Sequence, residues 1–392
     1  MIKKTAAFLV VTISVLAFAF SCGAIGSQLL LSKGSNGNRD FIAYWTAGQL
    51  AVHHQNPYDA EATFETEVAH GRPVSGGALV MRNLPTGLLL ALPLGFMSVG
   101  LSAFLWTAVQ VLCIVVSVRM IWSLHGRPPG HRNLLGYSFG PAVVCLMLGQ
   151  TSLFVLLGLV LFLRFHQSRP LWAGASLWLC ALKPHLLLPF AVALLVWIIA
   201  RKKYPILIGL VSSLAVSAIV AGAVSKNVWT NYHHMMTTSG IDQEFFPCLS
   251  SLLRVLANHY WAQYLPAVAG CIWTLYYIRK HIDAWDWLYH GSLLILVSLF
   301  VAPYEWFTDT AIALPALLAA VYICRSRTLL ATLAFASAAI EIQMLYGFSF
   351  HSRMYLWLAP AWLAWYLLAT KGAPLLLHQQ VQSETAALAP AP

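Results

Sequence analysis

Leu84-Pro85-Thr86-Gly87-Leu88-Leu89-Leu90-Ala91-Leu92-Pro93-Leu94-Gly95-Phe96-Met97 is the stretch on which the architecture turns. It is apolar and helix-like, and if it crossed a bilayer every later loop would change sides. Loops such as Arg201-Lys202-Lys203 would then face outward, against the bias of Lys and Arg toward the cytoplasmic side. Laid along the outer surface as a juxtamembrane helix over 84–98, with the N-terminus inside, it leaves 15 of the 23 Lys and Arg on inner loops and 8 on outer ones. Parity keeps this stretch out of the bilayer.

The rest of the chain makes the bilayer the relevant solvent. Of 392 residues, 59% are hydrophobic and only 9% charged, whereas soluble domains carry roughly 25% charged residues; mean hydropathy is +0.71. Apolar runs recur between short polar knots, and backbone in lipid must satisfy its own hydrogen bonds, so these runs are expected to be helices. Ten-residue alternating segments of the β-barrel kind are absent from the sequence. The expected spans are 6–31, 100–123, 134–149, 151–165, 171–182, 186–200, 204–225, 262–278, 286–302, 310–324, 328–346 and 354–370. The fold class is therefore an all-α polytopic membrane protein of about 12 transmembrane helices. The apolar run behind Lys3-Lys4 is nearly twice the ~7–15 residues of a signal h-region, so it reads as an uncleaved first helix. A single membrane domain over 1–375 and a disordered tail over 376–392 complete the organisation.

The net charge of +10 is scattered in twos and threes, with no basic face or tail, so no nucleic-acid partner is expected. The seven Cys form no CxxC pair and lie mostly in apolar segments, where they act as small apolar residues. No disulfide, metal site or cofactor is expected. His53-His54 and His233-His234 are poor chelates, because adjacent helical residues point about 100° apart.

Polar residues gather on the outer side. The first loop, 32–99, opens with Arg39-Asp40-Phe41-Ile42-Ala43-Tyr44-Trp45 and continues to Asn56-Pro57-Tyr58-Asp59, which reads as a turn. Asp40 has two readings. It caps a helix beginning at Phe41, or it is a general base at the membrane surface, hemmed by aromatics and raised in pKa by desolvation. Lys183-Pro184-His185 sits between two apolar helices, where charge is expensive and commonly functional; Lys183 can meet a phosphate oxygen and His185 can donate a hydrogen bond. The alternatives are a snorkelling Lys and a broken helix. Arg254 can fork onto a phosphate or stand as a surface Arg. Glu305 and Asp309 share a face if helical; otherwise they are solvated loop carboxylates.

At these residues the chain resembles the GT-C membrane glycosyltransferases, in particular glycosyltransferase family 87, the polyprenol-phosphate-mannose-dependent mannosyltransferases. The matching pieces are Asp40 to Gly48 with Asn56-Pro57-Tyr58-Asp59, Asn83 to Leu94, Gly149-Gln150, Ala173-Gly174 with Lys183-Pro184, Ser251-Leu252-Leu253, and Ala302-Pro303-Tyr304 running to Asp309. They fall in order over roughly 39–315. The usual double proline is Leu84-Pro85 here, and the Ser-Pro-type motif late in the chain is Ala302-Pro303-Tyr304-Glu305.

The resemblance implies a GT-C-like bundle with juxtamembrane helices in the first extracytoplasmic loop. It implies transfer of a sugar, mannose by the family's habit, from a polyprenyl-phosphate donor to a lipid-linked or cell-envelope glycan acceptor, with inversion. Asp40 matches the family's base. Lys183, His185 and Arg254 are the expected donor-phosphate residues, and Tyr44, Trp45, Tyr58, Glu305 and Asp309 the expected substrate-binding ones. The expected location is a bacterial cytoplasmic membrane, multi-pass, with membrane lipids as neighbours and the site extracytoplasmic. The alternative is a transporter or lipid flippase without transferase activity, which calls for ionisable residues within broken helices at mid-membrane.

Overall fold

The computed structural model describes residues 39–240, 244–345 and 352–371. The expected first helix, 6–31, and the expected tail, 376–392, lie outside the described residues. Within them, all regular secondary structure is helical.

The first helix described, α1 (Phe41–Val52), is buried over most of its length because its sequence is apolar on every face. After the turn at Asn56-Pro57, the Asp59 carboxylate caps α2 (Ala60–Ala69) by accepting from the Glu61 and Ala62 amides at 2.9 and 3.0 Å. The stretch at 84–97 then folds as a 3-10 turn, Pro85–Gly87, followed by α3 (Leu88–Gly95). Together these extend only about 18 Å, well short of the ~30 Å hydrocarbon core. It does not form a span of its own. Instead α3 lies against α1 at glycine contacts: a Cβ on Gly48 would stand 2.2 Å from the Ala91 carbonyl oxygen. Only glycine permits that approach.

Among the described residues, two helices are long and apolar enough to cross a bilayer, α4 (Val99–Leu124) and the later Tyr204–Val224. A third candidate is a bent pair, Pro170–Leu182 with Pro184–Ala200, whose halves meet at 118°. Helices stand at all the other expected places within the described residues, most of them too short to span alone. The helices after α4 are α5 (Gly140–Leu148), α6 (Ser152–Phe165), α7 (Pro170–Ser176), α8 (Leu188–Ala200), α9 (Tyr204–Val224), α10 (Val228–Thr238), α11 (Leu249–Ala257), α12 (Leu265–His281), α13 (His290–Phe300), α14 (Leu314–Ile323), α15 (Arg327–Leu345) and α16 (Leu358–Thr370), of which α10 and α11 lie where a loop was expected. Twelve spans are thus not what the helix lengths give. The shortening has local causes: Gly149 breaks the run at a left-handed turn, Pro184 breaks the next, and a 3-10 segment, Phe307–Ala313, precedes α14.

The core is formed by α5, α6 and α14, which are buried almost throughout. On α4, α9 and α12 large apolar side chains face outward, Phe104 61% and Ile219 71% exposed among them. Such a surface is unsustainable in water and natural in lipid. This is a membrane protein.

Candidate active site

The breaks between helices, with the start of α1 and the end of α5, surround a cavity of about 400 Å³. Its wall takes Asp40 and Tyr44 from the start of α1, and Arg82 and Asn83 from the segment before α3. Gln150 comes from the α5–α6 turn, Lys183 and His185 from the bent pair, and Tyr304, Trp306 and Asp309 from the stretch before α14. Glu244 completes it.

Asp40 occupies the position just before α1, yet its side chain caps nothing and its backbone is already right-handed helical. The capping reading therefore fails. The Oδ2 atom instead accepts from Gln150 Nε2 at 2.7 Å, and the residue keeps part of its surface open. Burial of its surroundings raises the carboxyl above its ordinary 3.8; the Gln150 hydrogen bond and the charges of Lys183, Arg72 and Arg39 oppose this without cancelling it. The result is a carboxylate with enhanced basicity, aimed by an amide.

Gln150 is itself fixed. Gly149 closes α5 at φ +77°, and a Cβ there would come within 2.7 Å of Phe41 Cβ, so only glycine both makes this turn and lets α1 pack on it. Trp106 Nε1 and Gln110 Nε2, both from α4, donate to the Gly149 and Gln150 carbonyls at 2.9 and 2.7 Å. Tyr44 stacks on the same Trp106 ring, centroids 5.1 Å apart. On its other side, the Gln150 amide oxygen accepts from Lys183 Nζ at 3.1 Å. This bond and the one to Asp40 fix which way the amide points.

Lys183 also donates to Ser152 Oγ at 3.1 Å and forms an ion pair with Asp309 Oδ1 at 2.6 Å. Asp309 accepts in addition from Ser152 Oγ and from the Trp306 amide, the latter at 3.0 Å. A continuous chain thus runs Asp40–Gln150–Lys183–Asp309. The pair is buried, with side chains 11% and 1% exposed, and removing one member of such a pair costs about 3–5 kcal/mol. Lys183 therefore neither snorkels nor stands unpaired. Arg82 and Glu244 make a second ion pair, fork on fork, with Nη1 to Oε2 at 2.9 Å and Nη2 to Oε1 at 2.5 Å. Its side chains are 36% and 38% exposed, where a pair is worth about 0–1 kcal/mol. One pair is structural and the other exchangeable.

Of the expected site residues, Asp40, Tyr44, Lys183, His185 and Asp309 converge on the cavity. The His185 ring stacks on Tyr304 at 3.7 Å, and its buried Nε2 has no hydrogen-bond partner among the described residues. Four others lie off the cavity wall. Trp45 donates to the Met97 carbonyl at 3.1 Å and edges onto His70. Tyr58 donates to the Asn83 carbonyl at 3.1 Å. Arg254 is turned inward and donates to the Glu244 carbonyl and to Gln263 Oε1. Glu305 is 1% exposed with neither carboxyl oxygen partnered among the described residues. Burial first, and then the Asp309 charge, push its pKa well above the usual carboxylate range. Neither Glu305 nor Asp309 is a solvated loop carboxylate, and Glu305 precedes the 3-10 segment instead of sharing a helix face with Asp309. Arg82, Asn83, Gln150, Ser152 and Glu244 were not singled out as site residues from sequence.

The model of glycosyltransferase family 87 matches residues 84–346, about two thirds of the chain. The chain belongs to glycosyltransferase family 87. As a family 87 protein it is a glycosyltransferase, with a sugar donor and an acceptor as substrates. No curated protein and no solved structure matches it. The matched region carries Gln150, Lys183, His185 and Asp309 but begins after Asp40, so Asp40 joins this site through its bond to Gln150. A bent helix pair with Lys183 at its break also suits a transporter; family membership decides for transfer.

Proposed function

We propose that this family 87 glycosyltransferase moves a sugar, mannose in the first instance, from a polyprenyl-phosphate donor to a lipid-linked or cell-envelope glycan hydroxyl. In this reading the chain is multi-pass, with about a dozen membrane segments in a single domain over 1–375. The cavity opens on the extracytoplasmic side of a bacterial cytoplasmic membrane, with 84–98 lying along that surface. The charge distribution over the loops supports this sidedness.

The observation that carries the reading is the Asp40 carboxylate: it makes no capping bond, it is held by Gln150, and it faces a cavity of sugar size. The acceptor oxygen attacks the anomeric carbon while Asp40 takes its proton, and the bond to the phosphate oxygen breaks on the opposite face, inverting the centre. The polyprenyl phosphate departs as a stable anion, so no general acid is needed. Stabilising that charge suffices. Asp40 must be ionised to accept the proton, and the Gln150 amide favours the ionised form. Tyr44 and the stacked His185–Tyr304 rings offer flat faces to a pyranose ring.

Purified protein in lipid nanodiscs, supplied with labelled polyprenyl-phosphate sugars or nucleotide sugars and a panel of membrane glycolipids, tests this. Transfer from the polyprenyl-phosphate donors only is expected. Transfer from nucleotide sugars alone would overturn it.

A further inference from the structure

Among the described residues, two cations and three carboxylates line the cavity: Arg82 and Lys183 against Asp40, Glu244 and Asp309. A sugar phosphodiester brings one more negative charge, so it needs a cation that is not already committed. Lys183 does not qualify. Its ammonium has three hydrogens to give, and Asp309, Ser152 and Gln150 take them.

Arg82 is placed differently. Its two terminal nitrogens grip a single carboxylate, Glu244, from a loop 162 residues away in sequence. Both partners line the cavity and both are more than a third exposed. The parallel two-bond grip is the one by which a guanidinium holds two oxygens of a phosphate. A partly exposed carboxylate can leave it for water at little cost, which the buried Lys183–Asp309 pair cannot do. Arg254 holds the Glu244 carbonyl, so an arginine expected from sequence to bind phosphate instead braces the residue that competes for it.

We infer that Arg82 is the donor-phosphate anchor of this cavity and that Glu244 is a built-in competing anion, occupying the fork until a lipid-linked phosphate displaces it. This rests on the transferase reading above. Exchange keeps the fork filled by one anion at a time, and it moves one carboxylate out of a cavity that otherwise gathers excess negative charge. Glu244 thereby sets how much donor is needed to load the site, without touching the reacting atoms.

The two partners should then act in opposite directions. The test is binding of a short-chain polyprenyl phosphate to the full chain in nanodiscs, with sugar transfer measured alongside and thermal unfolding checking each variant. Arg82→Gln should weaken binding by roughly tenfold or more, as loss of a charge-assisted hydrogen-bonded fork does. Glu244→Gln should tighten binding and lower the donor KM, and the double variant should behave like Arg82→Gln. A merely structural salt bridge would move both single variants the same way, or neither, and that overturns the assignment. If Arg82→Gln fails to fold, Glu244→Gln decides alone: tighter binding supports the inference, and unchanged or weaker binding refutes it. Should the wild type neither bind polyprenyl phosphate nor transfer from it, the functional reading falls as well. If it does both while the variants fail to diverge, only the Arg82 assignment falls.

Discussion

Neutralising both members of the Lys183–Asp309 pair should cost the fold less than the two single neutralisations summed. The ion pair is 2.6 Å long and its members are 11% and 1% exposed, so Lys183→Met leaves a carboxylate held, among the described residues, by Ser152 and the Trp306 amide. Asp309→Asn leaves an ammonium with neutral acceptors alone. Each single change is expected to cost about 3–5 kcal/mol, the usual result of stranding a buried charge. In Lys183→Met/Asp309→Asn no charge is stranded. The asparagine oxygen accepts from only one of Ser152 and the Trp306 amide, which use different oxygens of Asp309, but that loss is shared with Asp309→Asn and cancels in the cycle. The double variant should therefore fall short of the summed single costs by about 2 kcal/mol, within the range for residues in contact. Denaturant unfolding in mixed micelles, run as a double-mutant cycle, measures this. Additive losses would refute the claim that the pair is coupled and structural.

Gln150→Ala removes the hydrogen bond that favours ionised Asp40, so the acid limb of the transfer rate should move to higher pH; an unmoved limb would detach Gln150 from the base. Wild-type transfer should itself rise with pH through an inflection above the usual aspartate range, because burial raises the Asp40 pKa. Cysteines placed at Ser75 and Lys202, both exposed, should react with an impermeant thiol reagent from opposite sides of the membrane; reaction from the same side would remove the topology.

Much of the helical order was legible because apolar runs and their Pro and Gly breaks are local features. Helix length was not, since Gly149, Pro184 and the Phe307–Ala313 turn shorten helices that composition alone runs together. Asp40, Lys183 and Asp309 were readable as charges that apolar surroundings do not tolerate idly. Glu305 looked equivalent to Asp309, but in the extended stretch before the 3-10 segment Tyr304 and Trp306 face the cavity while the residue between them does not. Gln150 carries no charge to draw notice, although an amide between two apolar helices was a usable signal. The Arg82–Glu244 pair gave none, because its members are 162 residues apart and each reads alone as a loop charge.

Turnover of Asp40→Asn at saturating donor and acceptor tests the central claim most directly. Asparagine keeps the size and can still accept from Gln150, but it cannot take a proton. Loss of a general base costs roughly 10²–10⁴-fold in rate, whereas the side chain contributes no helix cap whose loss would mimic this. The account expects a folded, membrane-inserted, donor-binding protein with turnover reduced at least a hundredfold. Turnover within about threefold of wild type would contradict it, because general-base loss costs far more than that.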